Sequence, residues 1–385
     1  MFSFPAVAQL QVHGIKTLAF LAPTTSVQQR LVEFGAVEVA LTVMHSFPEL
    51  LDVQLNGCRM LQNLATSAQI QGMIAQLNGV KIVLHSMVVH KSTVELQSVA
   101  LGLLQNLAAT GENGRAIGAL GGAEVIMQAM LRSPDSAEVQ RNGCGALRNL
   151  AFDAEIAAAV VELDGARLVL SAMGRHATTP AVQQNACGCL QSLASTSEHH
   201  GLLLEHGAVA AIIKAMRRFT SEPVVQENSC GALANLASST APLERMLAEG
   251  AVDAVIHAVH QHAEEPNVLQ NACGCLGARP FSPLVSCLFV VFFTLDDSRR
   301  NAGVQPARSP VPDPAERRGG ACARRARQLP RRARPEGERA RAALLAVVAR
   351  RGRRGRGERR SGRRGRRLAP SQEEVCRQRV SATTK

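Results

Sequence analysis

Apolar residues in this chain recur at helical spacing inside short segments, and the segments themselves recur. Residues 110–152 serve as the specimen. "GENGRAIGALG" predicts a short first helix, stopped by Gly121 and Gly122. "AEVIMQAMLR" predicts a second helix whose apolar stripe is Val125, Ile126, Ala129 and Met130. "SPDS" is a turn, and "AEVQRNGCGALRNLAF" is the longest helix, with Val139, Cys144, Leu147, Leu150 and Ala151 turned inward. Prolines recur in the equivalent turn at Pro48, Pro180, Pro223 and Pro266, where a missing N–H and a fixed φ cost least.

A Leu-Ala pair closes the longest helix six times at a spacing of 43 residues, with leucine at Leu21, Leu64, Leu107, Leu150, Leu193 and Leu236. Self-similarity at this period marks a stack of supersecondary units, none of which buries its apolar face alone. The repeats divide as a partial copy at 1–23, full copies near 24–66, 67–109, 110–152, 153–195 and 196–238, and a broken copy at 239–278. The expected fold is all-α. The N-terminal "MFSFPAVAQLQVHGIKTLAFLAP" lacks the basic start of a signal peptide and lies in register with the third helix.

Three helices of short, medium and long length resemble the armadillo repeat over about residues 1–278. The resemblance rests on the period, on the entry to the second helix (Gly35-Ala36-Val37, Gly207-Ala208-Val209, Gly250-Ala251-Val252), and on the "VQ…AL-NLA" third helix. It implies a right-handed armadillo-like superhelical solenoid whose third helices line a concave groove, and a protein-binding scaffold or adaptor that holds an extended peptide or helix there. The small-residue-rich third helix is similar to armadillo-type regions of generic scaffolds and of some leucine-rich-repeat kinases. In that family an asparagine ladder grips the peptide backbone, which places the ladder here at Asn63, Asn106, Asn149 and Asn235, with Ser192 and Phe20 in the other two copies. A second row lies seven residues earlier on the same helix face, at Asn56, Asn142, Asn185, Asn228 and Asn271, interrupted by Val99. A carboxamide offers both a donor and an acceptor, matching a peptide unit. Asparagine is also a poor helix former, so the same rows are open to a second reading, as bridges between neighbouring helices.

Importin-type members carry tryptophan four residues before the ladder asparagine. This chain has no Trp, and that position holds Arg59, Gly102, Gly145, Gly188, Gly231 and Gly274, so recognition of nuclear-import signals is not expected. The glycines leave either a shallow floor for a ligand or room for close packing of adjacent third helices.

Charge divides the chain sharply. Residues 1–278 hold 15 Lys+Arg against 22 Asp+Glu, and residues 279–385 hold 28 against 9, so the net +12 belongs to the tail. An acidic array mildly favours basic partners. Cys58, Cys144, Cys187, Cys230 and Cys273 share one repeat position with Leu101 and Ile15, which marks it as a core position rather than a metal or disulfide set. Free thiols point to a cytoplasmic, or else nuclear, setting. His257, His260 and His262, and the pair His199-His200, read as exposed polar residues. No motif suggests an enzyme, a cofactor, a metal or a small-molecule substrate.

The repeat pattern stops at Arg279. Residues 279–298 form a short apolar segment, too brief for a membrane span. Residues 299–385 read as an Arg-rich disordered tail, which would make the chain a nucleic-acid-associated protein under the alternative reading, or a basic membrane-surface anchor under another. The favoured expectation is that 279–385 is a gene-model artefact, an intron end followed by out-of-frame GC-rich sequence. With a partial repeat at each end, the array reads as a piece of a longer scaffold.

Overall fold

The computed structural model describes residues 7–277; the expectations for the segments 279–298 and 299–385 lie outside them. The described residues form a helical solenoid, and among them no strand occurs. The third helices are α1 (Ala8–Leu21), α4 (Leu51–Leu64), α7 (Val94–Leu107), α10 (Ala137–Leu150), α13 (Pro180–Leu193), α16 (Pro223–Leu236) and α19 (Pro266–Leu276). The first helices are α2 (Thr25–Glu33), α5 (Ala68–Gln76), α8 (Gly111–Ala119), α11 (Ala154–Glu162), α14 (His200–Glu205) and α17 (Thr240–Glu249). The second helices are α3 (Ala36–Ser46), α6 (Gly79–Val89), α9 (Gly122–Arg132), α12 (Gly165–Arg175), α15 (Ala208–Arg218) and α18 (Ala251–Gln261).

The turn between first and second helices needs one residue with positive φ, and it falls at Gly35, Asn78, Gly121, Asp164, Gly207 and Gly250, 43 residues apart. Glycine adopts this conformation freely, and Asn and Asp tolerate it best among the rest. The specimen's second glycine, Gly122, opens α9 instead of belonging to the stop. Pro180, Pro223 and Pro266 each take the first position of a third helix, where the absent N–H costs nothing.

Each third helix packs along its length on the third helices next to it, while the first and second helices touch their counterparts at fewer points. In a curved stack the most closely spaced layer lies inside the curve, which puts the third helices on the concave side. Glycine permits the approach: a Cβ on Gly102, Gly145, Gly188 or Gly231 would fall 2.1–2.6 Å from the side chain of Gln62, Gln105, Arg148 or Gln191 on the preceding third helix. The core runs unbroken through the array, with the leucines of the closing Leu-Ala pair buried from Leu64 to Leu236.

Candidate functional site

The polar residues of the third helices fall into three rows with distinct partners. The glutamine in the first turn of five third helices, after Val or, in one copy, Leu96, is buried: Gln54, Gln97, Gln140, Gln183 and Gln226. Each turns its amide onto the end of the second helix in its own repeat. Gln140 Nε2 donates to Met130 O at 2.9 Å and Ser133 O at 3.0 Å, and the other four repeat the pattern. A helix end leaves carbonyls without partners, so one side chain satisfies two at once. The sequence displays this glutamine without disclosing its role; a polar residue recurring beside a buried valine was the available signal.

The earlier asparagine row crosses from one repeat to the next. Asn142 Nδ2 donates to Ser98 O at 2.8 Å, Asn185 to Arg141 O at 2.8 Å, Asn228 to Gln184 O at 2.9 Å and Asn271 to Glu227 O at 3.0 Å. A helical carbonyl already accepts one N–H, and its second lone pair takes the asparagine. Asn142, Asn185 and Asn228 are buried; Asn56, also buried, donates within its own helix to Asp52 O.

The later row is half-buried. Asn106 donates to Gln62 O at 3.3 Å, Asn149 to Gln105 O at 2.9 Å and Asn235 to Gln191 O at 2.9 Å. Asn63 makes no such bond among the described residues. Among these residues the Oδ1 atoms of Asn106, Asn149 and Asn235, and the side-chain amides of Gln62, Gln105 and Gln191, have no hydrogen-bond partner either. The face between the rows is therefore a strip of half-buried carboxamides, with the guanidinium of Arg148 among them. Phe20, in the ladder position of α1, is 83% exposed.

Two readings of single residues need correction. His199, His200 and His262 are buried, not exposed. His199 Nδ1 and His200 Nε2 lie 2.9 Å from Leu193 O and Ala194 O at the end of α13, and His262 Nε2 donates to Thr220 O at 2.7 Å. The same bond from His90 to Pro48 O and from His176 to Pro134 O ties alternate repeats to the preceding turn. His90, His176 and His262 take the place held in phase by Phe47, Ser133 and Phe219, and His200 that of Gln28 and Gln71, substitutions that a hydrophobicity pattern cannot flag. His257 and His260 are exposed. Conversely Cys273 is exposed, whereas Cys58, Cys144, Cys187 and Cys230 at the same repeat position are buried. No described third helix follows α19 to cover it.

Burial sets the thiol chemistry. Desolvation pushes Cys58 up to about 12, Cys187 to about 11 and Cys189 to about 12, and raises Cys144 and Cys230 as well. Such thiols are poor nucleophiles and poor metal ligands. Among the described residues no group of three or more His, Cys, Asp or Glu is placed to hold a metal ion. No described helix is by itself long and apolar enough to cross a membrane.

Comparison with known proteins agrees with this architecture. Two engineered proteins solved by crystallography share the fold. One is 26% identical with a TM-score of 0.61, over 70% of this chain and 64% of its own length. The other is 24% identical with a TM-score of 0.55, over 63% of this chain and 96% of its own, and shows the fold alone. This chain thus spans about two thirds of the first engineered protein. No curated protein matches the chain. A family described as Armadillo/beta-catenin-like repeat matches residues 201–238, and one described as LRRK2 ARM repeat matches residues 1–206, more than half of the chain. With its three-helix units, left-handed turn residues and glycine-seamed third helices, the chain belongs to the LRRK2-type armadillo-repeat family.

Proposed function

We propose that this chain is a protein-binding scaffold that holds an extended peptide of a partner against its third helices. Armadillo solenoids are in general interaction scaffolds, and the specific reading here is the site. The observation that carries it is the strip of carboxamides described above. Asn106, Asn149 and Asn235 each commit one N–H to the neighbouring helix and keep Oδ1 for a ligand. Gln62, Gln105 and Gln191 keep both an acceptor and two donors. A peptide backbone presents the complementary set, and its side chains need no dedicated pocket. The earlier row serves the stack instead, because Asn142, Asn185 and Asn228 are buried and spend their amides on backbone carbonyls. The buried reduced thiols suit a cytosolic or nuclear chain.

Selection of a random dodecapeptide library on the full-length chain tests this. Enriched peptides are expected to lose about tenfold in affinity for Gln105→Ala combined with Gln191→Ala, with Tm unchanged. Peptides indifferent to that pair but weakened by Lys81→Ala, on a second helix, would move the site to the outer surface.

A further inference from the structure

The carboxamide strip is not electrically uniform, and its charges are distributed so as to select a ligand. Row by row, the position before the earlier asparagine, or before Val99 in its place, reads Leu55, Ser98, Arg141, Gln184 and Glu227, and the position before the later asparagine reads Gln62, Gln105, Arg148, Gln191 and Ala234. Helix α10 therefore carries two cations, α13 between them carries no charged residue, and α16 carries Glu227 as its sole charge. The neighbouring charges on the N-terminal side cancel, because Arg59 of α4 is ion-paired with Glu95 of α7. Glu138, in the first turn of α10, accepts from Ser98 Oγ at 3.3 Å.

Arg141, Arg148 and Glu227 have no ion-pair partner among the described residues. Arg148 lies across Gly188 of α13, where a Cβ would meet its Cδ, Nε and Cζ at 2.6, 2.7 and 2.9 Å, and Arg141 Nε donates to Asn142 Oδ1 at 3.0 Å. Packed helices lie about 8–10 Å apart, so Arg141 and Glu227, at the same repeat position on α10 and α16, are separated by roughly 16–20 Å, whereas the Arg148 side chain already reaches over α13. An extended chain advances about 3.3 Å per residue, which makes that gap five or six residues.

We propose, resting on the groove reading above, that the partner segment carries an acidic side chain opposite Arg141 and a basic side chain five or six residues away opposite Glu227. A peptide with both charges at this spacing matches the face in either chain direction. Peptides with like charges at the two positions place one of them against its own sign.

Four synthetic dodecapeptides in a neutral Gly/Ser/Ala background test this by fluorescence anisotropy on the full-length chain, at low and at physiological salt. One carries Glu and Lys separated by five residues, and the others carry Glu and Glu, Lys and Lys, or no charge. The Glu/Lys peptide is expected to bind about fivefold tighter than each of the others, with the margin shrinking as salt rises. Arg141→Gln should remove the gain from the acidic residue and leave the gain from the basic one; Glu227→Gln should do the reverse. Both replacements are the residue already used in phase, at Gln184, so both variants are compatible with the fold. Equal binding of all four peptides, still weakened by the Gln105→Ala and Gln191→Ala pair, would overturn the charge reading and leave the groove reading standing. Failure of all four to bind would overturn both.

Discussion

The third-helix layer and the first-helix layer are built on the same 43-residue period under opposite rules. In the third layer the buried glutamine stands at the same position in five successive copies, Gln54 to Gln226, and makes the same two bonds in each. In the first layer the corresponding task is to cover the end of the preceding third helix, and the residue in phase is Gln28, Gln71, Gly114, Ala157, His200 and Leu243 in turn. Gln28 and Gln71 donate to Ala22 O and Ala65 O, His200 donates to Ala194 O, and the others carry no group able to. The inner layer sets the spacing of the stack, so a change in one copy disturbs two neighbours. The outer layer has room to improvise.

The largest consequence is alkaline unfolding driven from the inner layer, where all seven described cysteines lie. Burial raises their folded values, to about 12 for Cys58, Cys189 and Cys275 and about 11 for Cys187, from an ordinary 9.0. Thiols raised in the folded state hold their protons there and lose them on unfolding, so stability is intact below pH 9 and falls as pH climbs towards the folded values. Each such thiol removes about 2 kcal/mol by pH 10.5, at roughly 1.4 kcal/mol per pH unit. A cooperative loss of helical circular dichroism between pH 9 and 11 is expected, and the chain has no tyrosine to share in it. Cys58→Ala combined with Cys187→Ala should move the midpoint upward. A transition unmoved by those substitutions would remove the thiols as its cause.

Next in size is the glutamine itself. Gln140→Ala strips two bonds from the end of α9 and leaves a cavity, for an expected loss of about 2–3 kcal/mol in urea denaturation. Leu269 fills this place in the last described repeat, so Gln140→Leu should lose less. If instead both variants melt like the parent, the inner layer is no stricter than the outer one. The asparagine rows follow. Asn142→Ala, at a buried interhelical bond, should cost about 1–2 kcal/mol, and Asn149→Ala, half-buried with water within reach, about half of that. Equal costs would erase the distinction on which the choice of a ligand face rests.

This contrast also explains what the sequence could and could not reveal. The period, the three helices and the buried Leu-Ala pairs were legible because repetition multiplies a weak helical signal six times over. The glycine after the first helix was legible, and so by extension was the left-handed turn, although Asn78 and Asp164 fill it in two copies. Which way a repeated polar side chain points was not legible. Gln140 and Asn142 lie two residues apart in one helix; one turns to the second helix of its own repeat and the other to the third helix of the repeat before. Periodicity fixes a residue's face but not its acceptor. Single-copy features such as His199 and His200 were harder still, since no other repeat votes on them.

The outer layer's looseness has a stability cost that a single change should recover. Asn113 in α8 is 4% exposed, and its Nδ2 has no hydrogen-bond partner. The residues in phase in the two adjacent copies are Ile70 and Ile156. A buried amide without a partner costs about 1–3 kcal/mol, so Asn113→Ile should stabilise by about 1 kcal/mol after the larger side chain is accommodated. A destabilised Asn113→Ile chain would mean that this amide serves the fold in a way its surroundings do not disclose.

A graded series of added methyl groups is the most discriminating test of the inner layer. A methyl group at Gly274 would meet only Ala234 Cβ, at 3.6 Å, because alanine there replaces the long side chain found at Gln105, Arg148 and Gln191. Gly274→Ala thus gains helix propensity without a clash and should stabilise by up to about 1 kcal/mol. At Gly188 the same methyl displaces Arg148, whose flexible end can yield, so propensity and packing nearly cancel and Gly188→Ala should lie within about 0.5 kcal/mol of the parent. At Gly143 the obstacle is the buried Met130 side chain at 2.5 Å, which has nowhere to go, and Gly143→Ala should destabilise by about 1–2 kcal/mol. The order Gly274, Gly188, Gly143 in thermal melts assigns the glycines to helix packing graded by what lies above them. Three equal shifts would show that the glycines answer to backbone propensity alone and that the third helices owe their close approach to something else.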